Sequence, residues 1–187
     1  VLAESFVRFF KTHHPLIARA PGNVKLIGEH TDYNGGFVLL MAINRCVRIV
    51  ARKSSDRLVR RRVNYMRGVV WSLRQKRIDF ARADLAIESD VPGGAGLSPC
   101  ATLEVCVAVT IQLLSGLDLE RVDLALVCQR TENEFVGVKS GIMDQFVAAL
   151  GKEGHALLID CLYDHEAMLK IKAHSPAYHN AVALVES

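Results

Sequence analysis

The stretch Ala20-Pro21-Gly22-Asn23-Val24-Lys25-Leu26-Ile27-Gly28-Glu29-His30-Thr31-Asp32-Tyr33-Asn34-Gly35-Gly36 places three polar side chains, Glu29, His30 and Asp32, within four residues. Glycines bracket them, and the apolar run Phe37-Val38-Leu39-Leu40-Met41-Ala42-Ile43 follows. Burying so dense a polar cluster without partners is costly. A hydroxyl-rich ligand would supply them.

Working outward, Leu16 to Ala20 reads as a short strand broken by Pro21-Gly22, with extended character resuming over Val24 to Ile27. Phe37 to Ile43 and Cys46 to Arg52 are β-rich runs, and Asn44-Arg45 between them predicts a hairpin. Upstream, Leu2, Phe6, Phe9 and Phe10 recur at helical spacing and predict an amphipathic helix over 2–11, ending near His13-His14-Pro15. Downstream, helices are expected over 63–73, 101–114 (stopped by Gly116), 119–135 and 144–150, and strands over 83–89, 156–161 and 181–187. The expected fold is α+β, a mostly antiparallel sheet with helices packed on one side, in one domain over residues 1–187. Neither an internal repeat nor a low-complexity tract is visible.

Composition narrows the function classes. The chain has 187 residues, 50% of them hydrophobic and 23% charged, with a net charge of +3, enough for one sizeable core. The basic run Arg57 to Arg62 has no aromatic ladder beside it, so a solvated surface is expected and no nucleic-acid partner. The five cysteines (46, 100, 106, 128 and 161) are odd in number and lack a CxxC pair, which points to reduced thiols and a cytoplasmic location. Val105 to Leu114, the longest apolar stretch, is too short to span a membrane. The start shows no secretory leader and no Met, and Ala181 to Ser187 reads as a strand that simply stops, so a piece of a longer protein is expected.

Two further segments carry chemistry. Asp90-Val91-Pro92-Gly93-Gly94-Ala95-Gly96-Leu97-Ser98-Pro99-Cys100-Ala101 lies between a strand and a helix. Its glycines let backbone approach a ligand, Ser98 is a natural N-cap, and Pro99 suits the first helical position. Such a helix start is an anion site, although tight turns use the same residues. The Gly-Lys-Ser/Thr of a Walker loop does not follow. The other segment is Thr131-Glu132-Asn133-Glu134-Phe135 followed by Gly137 to Phe146. Asp144, beside apolar Ile142 and Met143, reads as a general base or, more blandly, as a helix cap, and Glu132 as a functional or a surface carboxylate.

Together these segments resemble the superfamily of galactokinase, homoserine kinase, mevalonate kinase and phosphomevalonate kinase, and within it the galactokinases. Gly28 to Gly36 is similar to their sugar-binding signature, which covers 20–36 here, and Pro92 to Ala101 to their ATP loop (90–101). Gly141-Ile142-Met143-Asp144-Gln145-Phe146, in the segment 137–146, resembles the stretch carrying the catalytic Asp, and Gly154 to Cys161 is also galactokinase-like. The resemblance implies ATP-dependent phosphorylation of galactose at its anomeric hydroxyl, with Mg²⁺. It implies that Glu29, His30, Asp32 and Gly141 bind the sugar and that Asp144 orients or deprotonates the attacking hydroxyl. Pro92, Gly93, Gly94, Gly96, Leu97, Ser98, Cys100 and Ala101 would bind ATP, and Glu132 with Ser98 would hold Mg²⁺. A monomer with galactose and ATP as its partners is implied, completed by a C-terminal domain that this chain does not contain.

The chain departs from the family in several places. Relatives carry Arg where this chain has Asn23 and Asn where it has Lys25, and that Arg belongs beside the catalytic Asp. Loss of such a cation costs roughly 10³-fold, judging by arginine fingers. Positions 23 and 25 share a face of an extended segment, so Lys25 is expected to replace the Arg in part and Asn23 to sit at the same catalytic place. The family's Leu-Ser-Ser-Ser-Ala reads Leu97-Ser98-Pro99-Cys100-Ala101 here, which removes one N–H and offers a thiol, a poor ligand for Mg²⁺. Residues 54–63 look shortened where relatives contact nucleotide. Two other readings stay open: a non-catalytic sugar- and ATP-binding relative or inactive fragment, and an N-acetylgalactosamine kinase, which usually lacks the Thr-Asp-Tyr-Asn-Gly-Gly form.

Overall fold

The computed structural model describes residues 1–11, 15–54 and 64–161, and the backbone of 182–186. The basic run at 57–62 and most of the segment 54–63, expected to be shortened, lie outside them. Helices are α1 (Leu2–Phe10), α2 (Asn64–Gln75), α3 (Pro99–Ser115), α4 (Arg121–Arg130) and α5 (Met143–Leu150). Strands are β1 (Leu16–Ile27), β2 (Phe37–Lys53), β3 (Ala83–Ser89), β4 (His155–Asp160) and β5 (Val182–Glu186).

The long strand β2 organises an antiparallel sheet. β1 runs along one of its edges, while β4 pairs with Phe37 to Met41 and β3 with Val47 to Lys53 on the other. β5 pairs with β4. The hairpin expected at Asn44-Arg45 does not form. The register instead steps from Pro21↔Cys46 to Asn23↔Ala42, so Ile43, Asn44 and Arg45 bulge opposite Gly22 within one strand. The bulge flips the side-chain alternation: Val38 and Leu40 face the core before it, Val47, Ile49 and Ala51 after it. Pro21-Gly22, expected to break β1, is the matching irregularity in that strand. Two polar residues between apolar runs suit a solvent-facing bulge as well as a turn, and pairing along both edges of β2 selects the bulge.

The core lies between the sheet and α3 and α5, with α2 and α4 covering α3. Helix α3 has buried residues on every side, as expected of a helix that is apolar all round. Phe146 on α5 is fully buried, a burial that stabilises by roughly 2–3 kcal/mol. The short α1 buries Phe6 and sets Phe10 under the Arg52 guanidinium, 4.6 Å from the ring centre, at the outer end of β2. The helix expected over 119–135 is α4 followed by a wider π turn, Thr131–Val136. Thr131 is drawn aside by its hydroxyl, which bonds the Val127 carbonyl at 3.0 Å and Ser72 Oγ at 3.0 Å. No helix among the described residues is long and apolar enough to cross a membrane.

Candidate active site

The turn after β1 is tied together by Thr31. Its hydroxyl donates to the carbonyls of Gly28 (2.7 Å) and Phe37 (3.0 Å), while its own carbonyl accepts the Asn34 and Gly36 N–H groups. Gly28 has φ +97°, and a Cβ there would lie 2.6 Å from the Phe37 carbonyl oxygen, so only glycine fits. The turn buries Asp32 against Gly141, where any Cβ would strike the Asp32 carboxylate. Burial pushes the Asp32 carboxyl above its usual range, the Met143 N–H pulls it back, and the Asp144 charge adds to the rise. Glu29 and His30 are exposed, and His30 Nδ1 meets Tyr33 Oη at 2.5 Å. Of the three polar residues of the signature, the fold therefore brings Asp32 alone into the carboxylate cluster.

Asp144 lies in the first turn of α5, with Ile142 and Met143 buried beside it, and Ile142 rather than Asp144 occupies the N-cap. Lys25 Nζ stands 3.8 Å from Asp144 Oδ2, both side chains about one-quarter exposed or less (21% and 25%). Asn23 is fully buried, and neither its Nδ2 nor its Oδ1 has a partner. Its backbone N–H reaches the Leu97 carbonyl at 3.5 Å, which joins the irregular step in β1 to the glycine-rich loop. Thr102 Oγ1 strengthens that joint by bonding the Pro21 carbonyl at 3.2 Å.

In the loop, Pro92, Gly93, Gly94 and Gly96 are exposed, open space faces all three glycines, and Leu97 and Ala101 lead into α3. Ser98 occupies the N-cap position expected of it, and Pro99 the start of the helix. Ser98, however, is left-handed (φ 54°) and makes no side-chain cap bond, so its hydroxyl is not committed to the helix. Cys100 is half-buried; desolvation raises its thiol, partly offset by a hydrogen bond with Tyr65.

Glu132 is buried on the π turn, where Gln145 Nε2 donates to its Oε2 at 3.0 Å. Burial raises its carboxyl, and Ser140 and Gln145 ease the rise. Asn133 Oδ1 accepts the Ser140 N–H at 2.9 Å and so sets the approach to Gly141. Behind Glu132 sits Glu104 of α3, fully buried, its carboxyl pushed up to about 10 by desolvation and by the neighbouring Glu132 charge. Sequence reasoning overlooked Glu104, Gln145 and Tyr65. Glu104 had a signal, being the one charged residue in Pro99 to Ser115, whereas Tyr65 had none.

The chain matches two family models, the galactokinase galactose-binding signature over residues 4–53 and the N-terminal domain of GHMP kinases over 64–152. Galactokinases of Chloroflexus aggregans and Chloroflexus aurantiacus are 48% and 49% identical, over 84% and 86% of this chain. The chain belongs to the galactokinase family. It spans about half the length of these curated relatives, 46% and 47%. The crystal structure of Lactococcus lactis galactokinase complexed with galactose superimposes with a TM-score of 0.83 at 28% identity, over 99% of this chain and 50% of that one. Methanococcus jannaschii mevalonate kinase (TM-score 0.62, 20% identity, 81% of this chain and 55% of that one) shares the fold. The family implies use of ATP.

Proposed function

We propose that the protein carrying this galactokinase-family segment phosphorylates galactose on its anomeric hydroxyl, giving galactose 1-phosphate and ADP. The observation that carries this reading is the partly buried cluster of Asp32, Gly141, Asp144 and Lys25, in which a carboxylate and a cation lie side by side next to a sugar-signature Asp. Asp144 would receive the anomeric proton as the sugar oxygen bonds the γ-phosphorus and the bond to ADP breaks. Asp32 and the Gly141 backbone would hold sugar hydroxyls, and exposed Glu29 and His30 would close on the sugar from the solvent side. The open face of the loop, from Pro92 to Ala101 by way of Gly93, Gly94, Gly96, Leu97, Ser98 and Cys100, would cradle the phosphates. Phosphoryl transfer depends on such placement more than on covalent chemistry.

The donor set also suits Mg²⁺. Glu132 is a buried carboxylate that feels the nearby Asp144 charge, and the two concentrate negative charge at the site. Among the described residues no group of three or more His, Cys, Asp or Glu is arranged around a metal, which fits an ion that takes one or two protein ligands and completes its shell with phosphates and water. Glu132 and the uncommitted Ser98 hydroxyl would hold it, and it would neutralise charge on the transferring group. All five cysteines are free, which supports a cytoplasmic location for the protein.

Lys25 supplies the cation that relatives place at position 23, and Asn23 keeps the buried backbone joint without a charge. The test is ADP release by the full-length protein with galactose, with N-acetylgalactosamine and without sugar. Galactose-dependent release is expected, with Lys25→Ala lowering kcat by roughly 10-fold or more. Unchanged activity in Lys25→Ala together with a strong gain in Asn23→Arg refutes the role of Lys25. Sugar binding without ADP release establishes a non-catalytic relative instead.

A further inference from the structure

We propose that Asp90 is a positioning residue for the glycine-rich loop, its side chain standing in for its own backbone carbonyl where the chain leaves the sheet. The inference rests on the reading of that loop as the phosphate cradle and adds a residue outside the nucleotide-contacting set, which begins at Pro92.

Strand β3 pairs with β2 in regular register as far as Val47↔Ser89. The next opposed residues are Cys46 and Asp90, which in a continuing ladder would exchange two backbone hydrogen bonds. One of the two forms, the Asp90 N–H donating to the Cys46 carbonyl at 3.2 Å. In place of the other, the Cys46 N–H donates to Asp90 Oδ1 at 2.5 Å. Arg48 Nη2 donates to the second oxygen, Oδ2, at 3.2 Å. The side chain thus closes the ladder, the Asp90 carbonyl is released from it, and the chain turns out of the sheet at that residue. The Cys46 N–H, with Arg48 behind it, holds the Asp90 carboxyl below the usual carboxylate range against desolvation, so the acceptor stays ionised at neutral pH.

Both ends of the loop are mounted on one irregular step, where the β1–β2 register passes from Pro21↔Cys46 to Asn23↔Ala42. Cys46 holds the entry through Asp90, and the Asn23 N–H holds the exit at the Leu97 carbonyl. Between them a Cβ on Gly22 would lie 3.2 Å from the Leu97 oxygen and from both Val91 methyl carbons, so the loop's two shoulders close over that glycine. Val91 is buried there, whereas Pro92, Gly93, Gly94 and Gly96 are exposed. Gly94 and Gly96 have φ +74° and +70°, backbone that glycine adopts freely, so the path of the loop is set by where its ends are held. Without the Asp90 carboxylate, the Cys46 N–H takes the main-chain carbonyl of residue 90 and the loop departs one position late. A misplacement of about 1 Å at a reacting site can cost roughly 10²-fold.

Three variants of the full-length protein separate geometry from charge. Asp90→Asn keeps an acceptor oxygen at the same reach, Asp90→Glu keeps the charge for Arg48 but carries it one methylene too far, and Asp90→Ala keeps neither. Affinities for Mg²⁺·ATP and for galactose are measured by calorimetric titration. Mg²⁺·ATP affinity should fall roughly 10-fold in Asp90→Glu and Asp90→Ala but less than about 3-fold in Asp90→Asn, with galactose affinity within about 2-fold in all three. Should Asp90→Ala fail to fold, the Asn and Glu variants decide the question alone. Unchanged Mg²⁺·ATP affinity in Asp90→Glu, or losses in Asp90→Asn as large as in Asp90→Glu, overturns the inference. Galactose affinity falling in step with that for Mg²⁺·ATP also overturns it, since the residue would then support the domain at large. A wild type that binds galactose but no Mg²⁺·ATP overturns the nucleotide reading of the loop itself.

Discussion

Replacing Glu104 by Gln should make the protein more stable at alkaline pH and remove a large part of its pH dependence. Glu104 is fully buried, and its carboxyl is pushed up to about 10, against about 4.3 in an unfolded chain. The folded state therefore holds one proton that the unfolded state releases between those values. Stability from a raised pKa is complete below the unfolded value and is lost as pH rises towards the folded one. The slope is about −1.4 kcal/mol per pH unit, so between pH 6 and 8 this one group removes about 3 kcal/mol. Gln carries no titratable proton in either state, so its slope from this position is zero. Asp32 and Glu132, also raised, remain in both proteins and cancel from the difference to first order. Urea unfolding followed by Trp71 fluorescence, in EDTA at pH 6, 7 and 8, measures that difference; Trp71 packs on Phe135 of the π turn, 5.8 Å between ring centres. With a slope of about 2 kcal/mol per molar urea, the midpoint gap should widen by roughly 1–1.5 M from pH 6 to 8. Parallel curves would mean that Glu104 is ionised in the folded protein, and the argument from burial would fail.

Other perturbations separate the parts of the site. Gly141→Ala puts a methyl group onto the Asp32 carboxylate, so galactose should no longer raise the melting temperature while ATP still does; retained sugar stabilisation would contradict the placement. Gly28→Ala combines φ +97° with a Cβ 2.6 Å from the Phe37 oxygen. It should cost roughly 2 kcal/mol or more, a fall of about 4–8 °C in Tm by calorimetry. Cys100→Ser exchanges a soft thiol for a hard oxygen at the start of α3 and should tighten Mg²⁺·ATP binding by roughly 5-fold in calorimetric titration, a gain of about 1 kcal/mol.

Much of the fold is legible locally. The β3 boundaries, the apolar helix α3 with its Gly116 stop and the amphipathic α1 follow from periodicity and capping residues, which act within a few positions along the chain. The hairpin at Asn44-Arg45 misled because turn and bulge use the same exposed polar residues. What distinguishes them is the pairing of β2 with β4 and β3, strands that lie far along the sequence. The π turn is similarly tertiary, because Thr131 is pulled aside by Ser72 on another helix.

At the site, the ordered motifs around Asp32, Asp144 and Glu132 could be read from residue types and spacing, and they named the family. Spacing also put Lys25 on the face of Asn23. Only the folded chain decided that Lys25 reaches Asp144 while the Asn23 amide is buried unpaired, because a side chain's reach depends on the helix packed opposite its strand. Glu29 and His30 sit beside Asp32 in sequence, yet only Asp32 joins the other carboxylates, since the turn built around Thr31 directs one of them inward. The charge state of the site belongs to tertiary structure as well. Desolvation by groups distant in sequence sets it, and no pattern along the chain records which carboxylates will share a dry interior.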